Sequence, residues 1–216
     1  MVGTSLLRAD ARSPKTRAPG RARRAALLAA ARALLAERAL DQVTLPLVAE
    51  RAGIPPSSVY HLFPDADALL TELARAISRE MAAVDERRGA ADSWRAVVSG
   101  FLRAQARFFN ADAAARALML GPKTSFTIKR AACHEDDRFG HALEAAVGRS
   151  FVLPGRLPDG LFFKAVQIAD VFYGLSVAAV DRVDEAAQAE AESAVLAYLG
   201  LHLPEVLTGA ELGAVA

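Results

Sequence analysis

The chain has a single cysteine, Cys133, in 216 residues, which excludes an intramolecular disulfide. Aromatic residues make up only 6% of it. Alanine and leucine dominate instead, and both lose little side-chain freedom in a helix. No apolar-polar alternation long enough for β-strands is present, nor any internal repeat. No segment combines a basic start with the continuous apolar stretch of a signal peptide. The apolar runs Leu161 to Phe163 and Val171 to Val180 are separated by Lys164, Gln167 and Asp170, short of the roughly 20 residues a membrane span needs. The expectation is an all-α protein of the cytoplasm, without membrane contact.

The sequence is 53% hydrophobic, enough for a sizeable core. Its net charge is only +1, but residues 1–24 carry Arg8, Arg12, Lys15, Arg17, Arg21, Arg23 and Arg24 against the lone acid Asp10. A flexible basic arm over residues 1–20 thus precedes a mildly acidic body. Such an arm suits a polyanion, because neutralising phosphates releases counterions, and Arg17 and Arg21 are its candidate DNA contacts. The competing reading is a solvated tail.

Helical periodicity predicts a first helix over 21–38, with Leu27, Ala31, Leu34 and Leu35 on one face. A second helix starts after Thr44, whose hydroxyl can cap it, with Pro46 harmless in the first turn. Ala52-Gly53-Ile54 makes a turn. Pro55-Pro56 then opens a third helix to about Leu62, Pro56 fixing the extended conformation of Pro55 and supplying helical φ itself. Asp65 can cap a long fourth helix with Leu69, Leu70, Leu73, Ile77, Met81 and Val84 inward. Further helices are read at 92–110, 111–120, 124–148 with a break near His134, 159–180 and 184–203.

Two short helices at a tight turn form a helix-turn-helix. Ala49 lets them approach, Gly53 can take φ > 0, and Val48, Ile54 and Val59 fill a small core. In such a motif the second helix enters the DNA major groove, where Ser57, Ser58 and His61 are the exposed candidates for base edges or phosphate.

From Arg24 to Leu70 the sequence resembles the TetR family of bacterial transcription regulators. The likeness lies in the helix ending at Glu37, then Thr44, Val48 and Ala49, then Ala52-Gly53-Ile54, then Tyr60 to Phe63 with a leucine-bearing helix after it. The resemblance implies that Thr44 and Tyr60 bind phosphate. It also implies a helix-turn-helix domain over 21–64 and a ligand-binding and dimerisation domain over 65–216. The sequence departs from the family at Ala66, where a phosphate-contacting lysine is usual, at Ala39, and at Ser57. Residues 25–63 are also electrically neutral, with Arg32, Arg38 and Arg51 against Glu37, Asp41 and Glu50.

Family members pair their last two long helices with the copies in a second subunit. The helix at 159–180 is apolar nearly all round, with Leu161, Ala165, Ile168, Phe172, Leu175 and Ala179 read as one stripe, and must be covered on two sides. Ala169, Gly174 and Ala178 allow close approach to a partner, joined by Ala191, Val195, Tyr198 and Leu199 from the last helix. The homodimer would present a twofold pair of recognition helices to a palindromic operator. Trp94, Phe101, Phe108, Phe109, Met119, Phe126, His134, Asp170 and Tyr173 are the candidates for a pocket holding a small, largely hydrophobic effector.

An enzyme is the competing class. Cys133-His134-Glu135-Asp136-Asp137 offers metal-ligand types without the paired spacing of a zinc site, and no Walker loop, dinucleotide glycine motif, HExxH or nucleophile elbow is present. No cofactor, metal or catalytic residue is expected. A third reading is a family member that has lost DNA binding and serves as a ligand-binding or protein-interaction dimer.

Overall fold

The computed structural model describes residues 14–85, 91–131 and 137–210, the side chains of 14–19, 84 and 85 excepted. Ten α-helices carry the described fold: α1 (Pro14–Leu35), α2 (Leu45–Ala52), α3 (Pro56–Tyr60), α4 (Ala66–Asp85), α5 (Trp94–Ala111), α6 (Ala113–Ala115), α7 (Phe126–Lys129), α8 (Arg138–Gly148), α9 (Leu161–Val180) and α10 (Glu185–Gly200). The only β-pairing among the described residues is an isolated bridge between Phe151 and Gly209. The all-α expectation holds.

The inward stripes read from the sequence are the buried ones. Leu27, Ala31, Leu34 and Leu35 of α1 lie against Leu69, Leu70, Leu73, Ile77 and Met81 of α4 within one contiguous core. Each leucine, isoleucine or methionine among them contributes about 2 kcal/mol when removed from water. The side chain of Val84 lies outside the described residues. That core runs without interruption from Leu27 to Leu207.

Several boundaries differ from expectation. Helix α1 starts at Pro14 rather than Arg21, so residues 14–20 of the expected arm form its first turns; residues 1–13 lie outside the described residues. The stretch expected over 124–148 is two helices, α7 and α8. Between α6 and Gly121 the chain widens into a π-turn, Arg116–Leu120, that buries Leu118, Met119 and Leu120. Asp112 starts this segment by accepting from the amides of Ala114 (2.9 Å) and Ala115 (3.2 Å).

The body is organised around α9, which packs most extensively on α10 and next on α8. Within its 20 residues α9 has an 18-residue stretch of mean hydropathy 1.4, long and apolar enough by length and composition to cross a membrane. This revises the reading that its apolar runs fall short. A core helix passes the same test, and Leu161, Phe162, Ala165, Val166, Ala169, Tyr173 and Val177 are buried in this core. Elsewhere it shows Val171, Leu175 and Val180 to solvent.

Candidate nucleic-acid interface and ligand grooves

The turn between α2 and α3 is built as its sequence requires. Gly53 sits at φ 64°, ψ 31°, a left-handed conformation that costs residues with a Cβ about 1–2 kcal/mol. The Ile54 amide donates to the Ala49 carbonyl at 3.0 Å, closing α2 in the manner of a glycine-terminated helix. Pro55 is extended (φ −54°, ψ 135°) and Pro56 takes the first helical position. Val48, Ala49, Val59 and Phe63 are buried beneath the motif, with Ile54 partly buried against them.

Beyond Tyr60, α3 does not continue to Leu62: the amides of Leu62 and Phe63 both donate to the Val59 carbonyl, at 2.9 and 2.8 Å. Asp65 then caps α4, its Oδ1 accepting from the Ala68 amide at 2.7 Å.

Thr44 departs from the expected role as a cap. It occupies the cap position of α2 but its side chain makes no capping bond. Pro46, at the second helical position, has no amide to offer, and the hydroxyl does not take the Leu47 amide that remains. The hydroxyl stays at an exposed residue at the start of α2. Ser57, Tyr60 and His61 are exposed on α3, Tyr60 by 53%, and Ser58 is half-buried. The structure therefore brings Thr44, Ser57, Ser58, Tyr60 and His61 to one local unit. Arg21 is exposed on α1; the side chain of Arg17 lies outside the described residues.

The motif's charges turn to other tasks. Arg51 forms a two-pronged pair with Glu37 (2.9 and 2.6 Å), and its hydrogen bonds hold the Glu37 carboxyl below the usual range. Arg24 grips Glu72 of α4 at 2.6–2.8 Å and lies over the Phe63 ring, 4.6 Å from its centroid. Arg32 reaches out of the motif altogether, to Glu80 at 2.8 Å and to Asp112 at 2.6 Å. Asp41 pairs with Lys123 of the body at 2.8 Å. Ala66 is half-buried at the start of α4.

In the body the expected pocket does not assemble. Trp94, Phe101, Phe109 and Tyr173 are fully buried core residues. The Trp94 indole donates to the Pro204 carbonyl at 2.9 Å. Tyr173 donates to the Leu102 carbonyl at 3.1 Å and meets Phe109 edge to face at 6.3 Å; burial pushes its phenol pKa up. Phe108 is half-buried and Phe126 is 76% exposed. His134 lies outside the described residues, as do Cys133, Glu135 and Asp136. Aromatic periodicity marked a core because a core and a cavity wall use the same residues at the same spacing.

Met119 and Asp170 do meet, in a groove of about 380 Å³ under the π-turn, with Leu120, Pro122, Lys129, Gln167, Val171, Gly174, Leu175 and Ala178. The Gln167 amide donates to Asp170 at 3.3 Å. Although Asp170 keeps some solvent contact, desolvation raises its pKa to about 7, with Lys129 opposing the shift. Gln105, which the sequence did not single out, is 1% exposed on α5 with neither amide atom hydrogen-bonded. A lone glutamine in an apolar stripe gives no sequence signal of that kind.

The expected dimer residues divide. Ala169, Ala191, Val195 and Leu199 have no exposed surface; they are used up between α9 and α10 of the same chain. Gly174 and Tyr198 are half-buried and Ala178 is exposed. Along the stripe read from the sequence, Leu161 and Ala165 are buried at its start whereas Leu175 and Ala179 are exposed at its end. The outward strip is Val171 (61% exposed), Leu175 (66%), Ala178 and Ala179, with Val180 (52%) exposed on another side of the helix end. One face of an almost wholly apolar helix is thus covered at its start and open at its end, and the sequence does not say where the cover stops. Among the described residues no group of three His, Cys, Asp or Glu could hold a metal ion.

A family model described as bacterial regulatory proteins, tetR family, matches residues 27–73. No curated protein matches the chain. Among solved structures, a TetR-family transcriptional regulator from Streptomyces coelicolor is 26% identical, with a TM-score of 0.64 over 84% of this chain and 99% of its own. A TetR transcriptional regulator from Rhodococcus sp. RHA1 has the same TM-score at 20% identity, over 84% and 97%. RolR, solved in complex with resorcinol, is 21% identical with a TM-score of 0.54, over 90% and 100%.

Proposed function

We propose that this chain, whose residues 27–73 match the tetR family model, is a TetR-family transcriptional regulator that binds a palindromic operator as a homodimer, represses from it, and is controlled by a small, largely hydrophobic effector. The observation that carries this is the motif's division of labour. Val48, Ala49, Val59 and Phe63 anchor it from below, while Ser57, Tyr60, His61 and the uncapping Thr44 hydroxyl stay outside.

In this reading α3 lies in the major groove. Ser57, Ser58 and His61 meet base edges, and Thr44 and Tyr60 hold phosphates that fix the register. Arg21 adds sequence-independent attraction from α1. The outward strip of α9 supplies the twofold contact, because four neighbouring apolar positions left in water favour a partner. Two recognition helices about 34–36 Å apart then read two half-sites.

The effector reading is supported by the groove at Met119 and Asp170, whose volume lies within the usual range for ligand sites, and by a neighbour in fold that holds resorcinol. An effector there touches the π-turn, which follows directly on α6, and the α6 cap Asp112 is tied to Arg32 of α1. Control requires only that it bind more tightly to the arrangement with misplaced recognition helices.

Selection from a random duplex pool, followed by binding at several salt concentrations, tests the proposal. A recovered palindrome and a salt-dependent affinity are expected. Failure to select any sequence would instead favour a dimer that has lost DNA binding, a reading motivated by Ala66 and the paired motif charges. Leu175→Glu should shift sedimentation toward monomer and lower operator affinity by about 100-fold, or about 2.7 kcal/mol.

A further inference from the structure

The groove under the π-turn and the outward strip of α9 are two parts of one surface. Successive helix positions turn by about 100°, so Gln167, Asp170 and Gly174 fall on one sector of α9, and Ala178, Val171, Leu175 and Ala179 follow round from it. Val171, Leu175 and Ala178 line the groove and are also exposed members of the strip. The π-turn overhangs the first sector: the Leu120 carbonyl lies 3.5 Å from where a Cβ on Gly174 would stand. The second sector is left in water.

Such a half-built site points to its cover. A binding pocket takes most of its ligand's surface out of water, which a groove of about 380 Å³ with one apolar wall in solvent does not do. Between Asp170 and Asp181, α9 carries no charged residue. A twofold contact sets a face against its own copy, where a charge would meet its like, and this stretch has none to repel. We propose that a second copy of the chain completes the groove, its α9 strip lying over the open wall, so that a small aromatic alcohol binds between the subunits and only in the dimer. The inference rests on the effector and homodimer reading above, and makes the two a single equilibrium. A hydroxyl both donates and accepts, which matches the Asp170 carboxyl beside Gln167 and Lys129 on the polar side of the groove. Met119, Leu120 and the paired strips enclose the ring. Occupancy then strengthens the dimer as much as dimerisation strengthens occupancy.

The test is fluorescence titration of the full chain with 2-naphthol, at protein concentrations above and below the monomer–dimer midpoint found by sedimentation. Saturable binding of one naphthol per chain is expected above the midpoint and at least tenfold weaker below it. Saturating naphthol should in turn lower the midpoint at least tenfold. Ala179 is exposed on the strip but outside the groove, so Ala179→Glu should lose the dimer and naphthol binding together, with helical circular dichroism unchanged. Gln167 lines the groove away from the strip, so Gln167→Ala should weaken naphthol binding at least tenfold and leave the ligand-free midpoint where it was. Naphthol bound equally well by monomeric Ala179→Glu overturns the proposal while leaving the groove as an effector site within one subunit. A midpoint raised by naphthol means that the partner's strip fills the groove, and overturns it too. No saturable binding at any concentration removes the groove as an effector site and this inference with it, and a chain that stays monomeric throughout overturns it through the dimer.

Discussion

The helix-turn-helix and the helical body behind it use the same alanine- and leucine-rich helices, but their special residues are special for different reasons. Gly53 in the motif has nothing within 4 Å of where a Cβ would stand, and is required by its φ of 64° alone. Gly140 in the body has ordinary helical surroundings in sequence, yet a Cβ there would lie 2.7 Å from the Phe163 backbone and against the Asp137 carboxylate. The first constraint is written in a few adjacent residues. The second exists only once α8 and α9 have been brought together across more than twenty residues of chain. Purposes of the first kind can be read locally; purposes of the second kind need the packed molecule.

Breaking that contrast begins at Gly140. Valine there forces α8 and α9 apart and should destabilise the protein by about 3 kcal/mol, seen as a fall in melting temperature of roughly 9 °C. If the melting temperature of Gly140→Val stays near that of the parent, the close approach is not a constraint and the contrast loses its clearest example.

The next largest effect is expected from pH. Burial raises the Asp170 carboxyl to about 7 from an ordinary 3.8, so between those values the folded protein holds a proton that the unfolded chain has released. The stability this one group contributes is complete below about pH 4 and is lost as pH rises through 7. Allowing for Asp170's partial solvent contact, the loss is about 2 kcal/mol. Asp170→Asn should remove this component. The variant should gain on the parent as pH rises from 5 to 8, and parallel melting curves for the two would show that Asp170 is ionised throughout.

Gln105 sharpens the comparison from within the body. Its buried amide lacks partners, a situation that costs about 1–3 kcal/mol. Gln105→Leu should therefore stabilise the protein by roughly 1.5 kcal/mol in chemical denaturation, without altering operator affinity when no effector is present. Destabilisation would mean that the amide is satisfied in solution.

How much of this was legible beforehand follows the same division. The all-helical architecture and the buried stripes of α1 and α4 were readable, because a 3.6-residue period over four or five turns has one interpretation. So was the turn at Gly53, where glycine and two prolines each act on their own backbone. Thr44 was misread as a cap because residue type at a cap position does not fix the side-chain rotamer, and Pro46 had removed one of the two amides it could have met. The grouping of Trp94, Phe101, Phe109 and Tyr173 as a pocket failed because apolar spacing cannot tell a packed interior from an empty one. Ala191, Val195 and Leu199 were assigned to a partner for a related reason: a helix covered on two sides does not reveal in its sequence which side is its own chain's.

The smallest effect expected is at Gly53, and it tests the motif in its own terms. Alanine at that position meets no neighbour, so no core contact is disturbed, and the cost is the left-handed backbone itself, about 1 kcal/mol. That cost should fall on the local unit: a modest drop in melting temperature of about 3 °C together with weakened operator binding, as α3 turns away from its set angle. Gly53→Asn should recover part of both, since asparagine tolerates that conformation better than alanine. Equal behaviour of the two variants would mean that the turn relaxes to another conformation, and that the outward placement of Ser57, Tyr60 and His61 does not depend on it.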